Sequence, residues 1–134
     1  MDPIFRRITI TTIPALLERL QPARFPDGQY LSALDVIRVK SEVRHNCDLL
    51  LQYVHAVLPL AVAEPGYLII INQLRRDVLE VRQECGKVSV NFLRPRHRRI
   101  LSKLRGAYEE MKTAAVVVCQ RDEPALMDSL SVAL

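Results

Sequence analysis

Apolar residues recur at helical spacing through most of this 134-residue chain, and that periodicity limits the folds open to it. The clearest case is Tyr67, Ile70, Ile71, Leu74, Val78, Val81 and Cys85, which fall along one line of a helix over about 66–85. Arg75, Arg76, Arg82 and Glu84 lie beside or behind that line, and Gly86 stands where a glycine after a helix end is favoured. A second stripe consists of Val43, Cys47, Leu50, Leu51, Val54 and Leu58. Traced backwards it takes in Val36 but also Lys40. A lysine in mid-stripe predicts a break near Lys40–Ser41, giving helices over about 32–40 and 42–58 with Ser41 as a cap. A third stripe, Ile100, Leu101, Leu104, Ala107, Tyr108, Met111, Ala115 and Val118, predicts a long helix over 95–120 opened by Pro95.

Outside these stripes the signals are shorter. Ile8-Thr9-Ile10-Thr11 alternates and favours extended chain, and Thr12 with Pro14 can start a short helix through Leu20. Pro22, Pro26, Asp27 and Gly28 mark a loop. The spacing therefore predicts an all-α, compact bundle of five or six helices, with a long basic amphipathic helix near the C-terminus. It divides one domain, 1–134, into a helical core (4–86), a connector (87–93), the 95–120 helix and a tail (121–134).

Charge is unevenly distributed. Six of the nineteen basic residues (Arg94, Arg96, Arg98, Arg99, Lys103 and Arg105) occur with no acidic residue among them, and without them the remaining chain is slightly acidic despite a formal net charge of +4. A localised block of this kind suits a polyanion or an acidic partner, although an amphipathic helix also carries charge on any solvated face. No aromatic interleaves with these cations, so contact with a nucleic-acid backbone is favoured over base stacking.

Catalysis finds little support. The four glycines build no phosphate-cradling loop or nucleophile elbow. His45, His55 and His97 are isolated from any base-and-orienter pattern. Cys47, Cys85 and Cys119 are widely spaced and each lies on an apolar stripe, which reads as buried free thiols in a reducing compartment rather than a zinc site. The expectation is a chain without enzymatic activity, cofactor or metal. Neither a membrane span nor a signal peptide is expected, and the location is expected to be cytoplasmic, with a nuclear one compatible. The short, Arg/Leu/Val-rich sequence is also compatible with a compact viral gene.

Two families share features with the chain. Leu16-Leu17-Glu18-Arg19-Leu20, Leu31-Ser32-Ala33-Leu34-Asp35, Cys47 to Val54 and Gly66 to Arg76 succeed one another with the order and spacing of helices two to five of a caspase recruitment domain, so residues 13–76 resemble that six-helix member of the death fold. The resemblance implies homotypic assembly with a like domain or an acidic protein surface in apoptotic or innate-immune signalling. Arg38, Lys40, Arg44, Arg75 and Arg76 are then the protein-interaction candidates. Separately, the Ile13-Pro14 helix start, the 29–58 helical region and the Glu64-Pro65 turn are similar in spacing to the small silencing suppressors of nodaviruses. That similarity implies a homo-oligomer lying along double-stranded RNA, with Arg38, Lys40, Arg44 and the 94–105 block as phosphate contacts. Lys40 and Pro59 fall within what would be its single RNA-facing helix.

Overall fold

A computed structural model of the chain describes residues 19–21, 23, 25, 32–88 and 95–122, with the backbone alone at 95–97 and 122. These residues are helical apart from short connecting pieces. The helices are α1 (Ala33–Ala61), α2 (Pro65–Gly86) and α3 (Pro95–Asp122). At 1.5 Å per residue they are about 44, 33 and 42 Å long. The extended segment and short helix read at 4–20 fall almost wholly outside the described residues, as do most of the connector and the tail beyond 122.

The described residues thus hold three long helices where the sequence suggests five or six. The break foreseen at Lys40–Ser41 does not occur, and α1 runs through it for 29 residues. The reason is the reach of the lysine. Its stem lies along the apolar stripe while Nζ donates a 2.8 Å hydrogen bond to the carbonyl of Val88, just past the end of α2. Ser41 is exposed and caps nothing; the cap is Ser32, whose Oγ accepts from the Asp35 N–H at 3.1 Å. Asp35 adds a carboxylate to the first turn, where the helix dipole favours it. Pro59 is accommodated inside the last turn of α1, on the exposed side, where water can satisfy the backbone carbonyl it leaves without a donor.

A three-residue connection turns the chain from α1 into α2. Val62 N–H bonds the Leu58 carbonyl, Glu64 N–H bonds Ala61, and Pro65 opens α2 at a position that needs no donor. At the other end Gly86 closes the helix from within. Its backbone is not left-handed, and Lys87 and Val88 complete the turn by bonding back to Glu84 and Cys85. The glycine is therefore not the cap that its position suggests.

Contacts fix the topology. Arg82 near the end of α2 lies 4.0 Å from Asp48 of α1, and Cys85 Sγ points to the Lys40 carbonyl, so α1 and α2 are antiparallel. Lys103 reaches Glu84, and Arg121 reaches Glu64, so α2 and α3 are antiparallel as well. The helices form an up-down-up bundle in which α2 packs along both neighbours.

One core runs through all three helices. α2 contributes Tyr67, Ile71, Leu74, Val78, Val81 and Cys85, and α3 contributes Leu101, Leu104, Ala107, Tyr108, Met111, Ala115, Val118 and Cys119. These follow the stripes read from sequence, with Ile70 and Ile100 only half-buried. α1 differs. Beyond the anticipated Val36, Val43, Cys47, Leu50 and Val54 it buries Val39, Asn46, Leu49, Tyr53, Val57 and Ala61, because it meets α2 on one flank and α3 with the 19–25 segment on the other. All three cysteines are free and buried. Among the described residues no helix is long and apolar enough to cross a membrane.

Truncating Leu104, which is completely buried near the middle of α3, should lower the unfolding free energy by about 2–5 kcal/mol in urea titrations of Leu104→Ala. A loss below about 1 kcal/mol would mean that α3 is not packed into the common core.

Candidate nucleic-acid interface

The antiparallel topology collects charge at one end of the bundle. The start of α1, the end of α2 and the start of α3 all lie there. The first three turns of α3 (95–105) carry five cations, Arg96, Arg98, Arg99, Lys103 and Arg105, and no carboxylate. Leu101 and Leu104 point into the core, which leaves Arg98, Arg99, Lys103 and Arg105 exposed on the remaining faces. Arg94 lies outside the described residues, and only the backbone of Arg96 is described.

The α1 candidates separate. Arg44 is exposed. Arg38 is also exposed but lies 3.8 Å from both Asp35 and Glu42 on its own helix, which tempers its charge. Lys40 is half-buried, and its ammonium donates to the Val88 carbonyl, which ties α1 to the end of α2. Arg75 and Arg76 are exposed on α2, nearer its middle, and Arg76 donates to Gln73 at 3.2 Å. The candidates from α1 and α3 therefore share one end, while Arg75 and Arg76 stand farther along.

Glu84, beside the apolar stripe of α2 in the sequence, is a further component of this end. It is buried, with its side chain 7% exposed, at the end of α2. Lys87 Nζ donates to its Oε1 at 3.0 Å, and Lys103 Nζ stands 3.5 Å from the same oxygen. The Lys87 hydrogen bond, with Lys103 alongside, holds the carboxyl below the usual carboxylate range although burial opposes this. Farther down the α2–α3 seam, Asp77, Glu80 and Glu110 bring carboxylate oxygens within 4.8 Å of one another, and Gln73 donates to Asp77 at 3.0 Å.

A second polar centre secures the interior behind this end. Asn46 is fully buried on α1. Its Nδ2 donates to the Gln21 carbonyl (2.6 Å) and to the Tyr108 hydroxyl (2.9 Å), while Oδ1 accepts from the Gln21 N–H (2.8 Å). One side-chain amide thus stands in for a neighbouring strand, binding both backbone groups of Gln21 and linking α1 to α3. His45 donates from Nε2 to the Arg19 carbonyl at 2.8 Å, and that partner requires the hydrogen on Nε2. Leu20 is buried between these ties, and Phe25 packs obliquely on the Tyr108 ring at 5.4 Å. Asn46 follows no apolar stripe, so nothing in the periodicity singles it out.

The opposite end of the bundle is nearly uncharged. Residues 49–74 contain no Lys, Arg or Asp and a single Glu, Glu64, which pairs with Arg121; the latter lies over the Tyr67 ring, 4.6 Å from its centre. Val62 and Ile69 are each 66% exposed there. The four described aromatics, Phe25, Tyr53, Tyr67 and Tyr108, are buried or half-buried. No family model, curated protein or solved structure matches the chain.

Two outcomes follow. Asn46→Leu removes the partner of both Gln21 backbone groups and of the Tyr108 hydroxyl, so stability should fall by about 2–3 kcal/mol, with faster hydrogen exchange at the Gln21 amide. Unchanged exchange there would refute the tie. Burial pushes the Cys47 thiol up to about 12 from an ordinary 9.0 and also raises Cys85 and the Tyr108 hydroxyl. Below the unfolded thiols' pKa the folded and unfolded states hold the same thiol protons. Above it the unfolded chain releases them first, so Cys47 should cost stability as pH rises from about 9 towards 12, at about 1.4 kcal/mol per pH unit, and Cys85 acts in the same direction. Urea unfolding across that range should show the decline, and Cys47→Ala should make it shallower.

Proposed function

We propose that this chain is a non-enzymatic binder of double-stranded RNA that grips the phosphate backbone with the basic end of its bundle. The observation that carries the reading is the run of five cations without a carboxylate on the first three turns of α3, four of them with exposed side chains. Arg44 and Arg38 are exposed on the parallel helix α1, toward the same end of the bundle. Cations on a rigid helix have fixed spacing, which suits the regular phosphates of a duplex better than a flexible strand. The absence of a fully exposed aromatic among the described residues also argues against single-strand stacking. The 29-residue α1, continuous through Lys40 and Pro59, is compatible with a long helix lying along a duplex. Binding of this type reads A-form shape and acts by sequestration, as a silencing or host-defence suppressor would.

Assembly with a protein partner, including a second copy, is the other reading. It is favoured by one specific observation, the exposed Val62 and Ile69 on the charge-poor 49–74 hairpin. The homotypic death-fold form of that reading rests on the resemblance of residues 13–76.

Fluorescence anisotropy with a blunt, random-sequence RNA duplex distinguishes the two. With six phosphate contacts, affinity should fall about a thousandfold between ~50 and ~200 mM salt. Arg98→Gln, Arg99→Gln and Arg105→Gln combined should reduce the salt slope by about 3, at roughly 0.9 per contact. Binding indifferent to salt and to these changes, or equal affinity for single strands, would exclude a duplex grip.

A further inference from the structure

We propose that Glu84 is a built-in competitor for phosphate, which engages Lys87 and Lys103 and so sets the affinity and salt sensitivity of the basic end. This rests on the duplex-binding reading above and identifies how that same surface is tuned.

The carboxylate belongs to α2, while the cation-rich turns belong to α3. Lys103 crosses from α3 to stand 3.5 Å from Glu84 Oε1, and Lys87 approaches the same oxygen from the connector at 3.0 Å. Glu84 is covered, but the two ammonium-bearing side chains are not: Lys87 is 49% and Lys103 65% exposed. Both lysines can therefore be reached from solvent while engaged from beneath. A phosphate that uses either one must displace or share it with a fixed carboxylate.

The position sharpens the point. A carboxylate near a helix C-terminus meets the negative end of the macrodipole and is disfavoured there unless cations offset it. Glu84 therefore needs these lysines, and their pairing is part of how α2 and α3 are joined. Lys103 consequently contributes less to a polyanion than its exposure suggests. It becomes a full contact only when Glu84 is neutralised.

The test is the slope of log K against log salt for the full chain with the random-sequence RNA duplex. Glu84→Gln preserves shape and a hydrogen-bond acceptor for Lys87 but removes the charge. It should tighten binding about two- to fivefold, the scale of a half-exposed ion pair, and should steepen the slope by about 1–2 as the freed lysines become phosphate contacts. Glu80→Gln, one turn earlier and holding neither lysine, makes the same net-charge change and should leave the slope in place. Lys103→Gln, which leaves Lys87 on Glu84, should reduce the slope by clearly less than 0.9 in the wild-type background and by about that amount with Glu84→Gln. Equal effects of Glu84→Gln and Glu80→Gln would overturn the proposal, leaving only general charge. So would a full loss of slope from Lys103→Gln alone. A wild-type chain with no salt-dependent duplex binding would remove the duplex reading itself, and the proposal with it, an outcome separate from either of these.

Discussion

The burial of α2 between two neighbours is the constraint on which the bundle depends. Its apolar line, Ile71, Leu74, Val78, Val81 and Cys85, is fully buried, and it is packed from one side by α1 and from the other by α3. Antiparallel contacts on both sides of a single helix make α1 and α3 parallel, and that relation decides which ends meet. The basic turns of α3 come to lie at the same end as the start of α1, and the charge-poor 49–74 hairpin is carried to the far end. Charge separation along the bundle is therefore a product of topology acting on an uneven sequence.

Polar groups complete what apolar packing leaves open. α1 and α3 are bridged by the Asn46–Tyr108 hydrogen bond and by Cys47 Sγ approaching Met111 Sδ at 3.9 Å, and the 19–25 segment adds Leu20 and Phe25 at the same place. A buried amide with both of its N–H groups and its oxygen occupied costs little and specifies register, whereas a half-satisfied one would be a liability. Lys40 does similar work at the basic end by joining α1 to the carbonyl beyond α2. Two polar residues of α1 are thus the ones that tie separate elements together.

These ties also alter how the cations should be counted. Six basic residues between 94 and 105, with Arg38, Lys40 and Arg44, suggest a uniformly available surface. In the folded chain Lys40 serves a carbonyl, Lys103 shares Glu84 with Lys87, and Arg38 stands between Asp35 and Glu42. A polyanion would meet a surface graded by internal competition.

Helical periodicity alone determined that α2 and α3 exist, nearly where they start and end, and most of the apolar side chains they bury, because 3.6-residue spacing records an apolar face faithfully. It also determined that the thiols are buried and that cations cluster over 94–105. Tertiary structure decided the rest. The continuity of α1 depended on an acceptor 48 residues away for Lys40, its doubled buried face depended on two neighbours, and the importance of Asn46 and Glu84 depended on partners 62 and 19 residues distant, Tyr108 and Lys103. A polar residue's role is set by the group it meets, and spacing along one helix carries no record of that meeting.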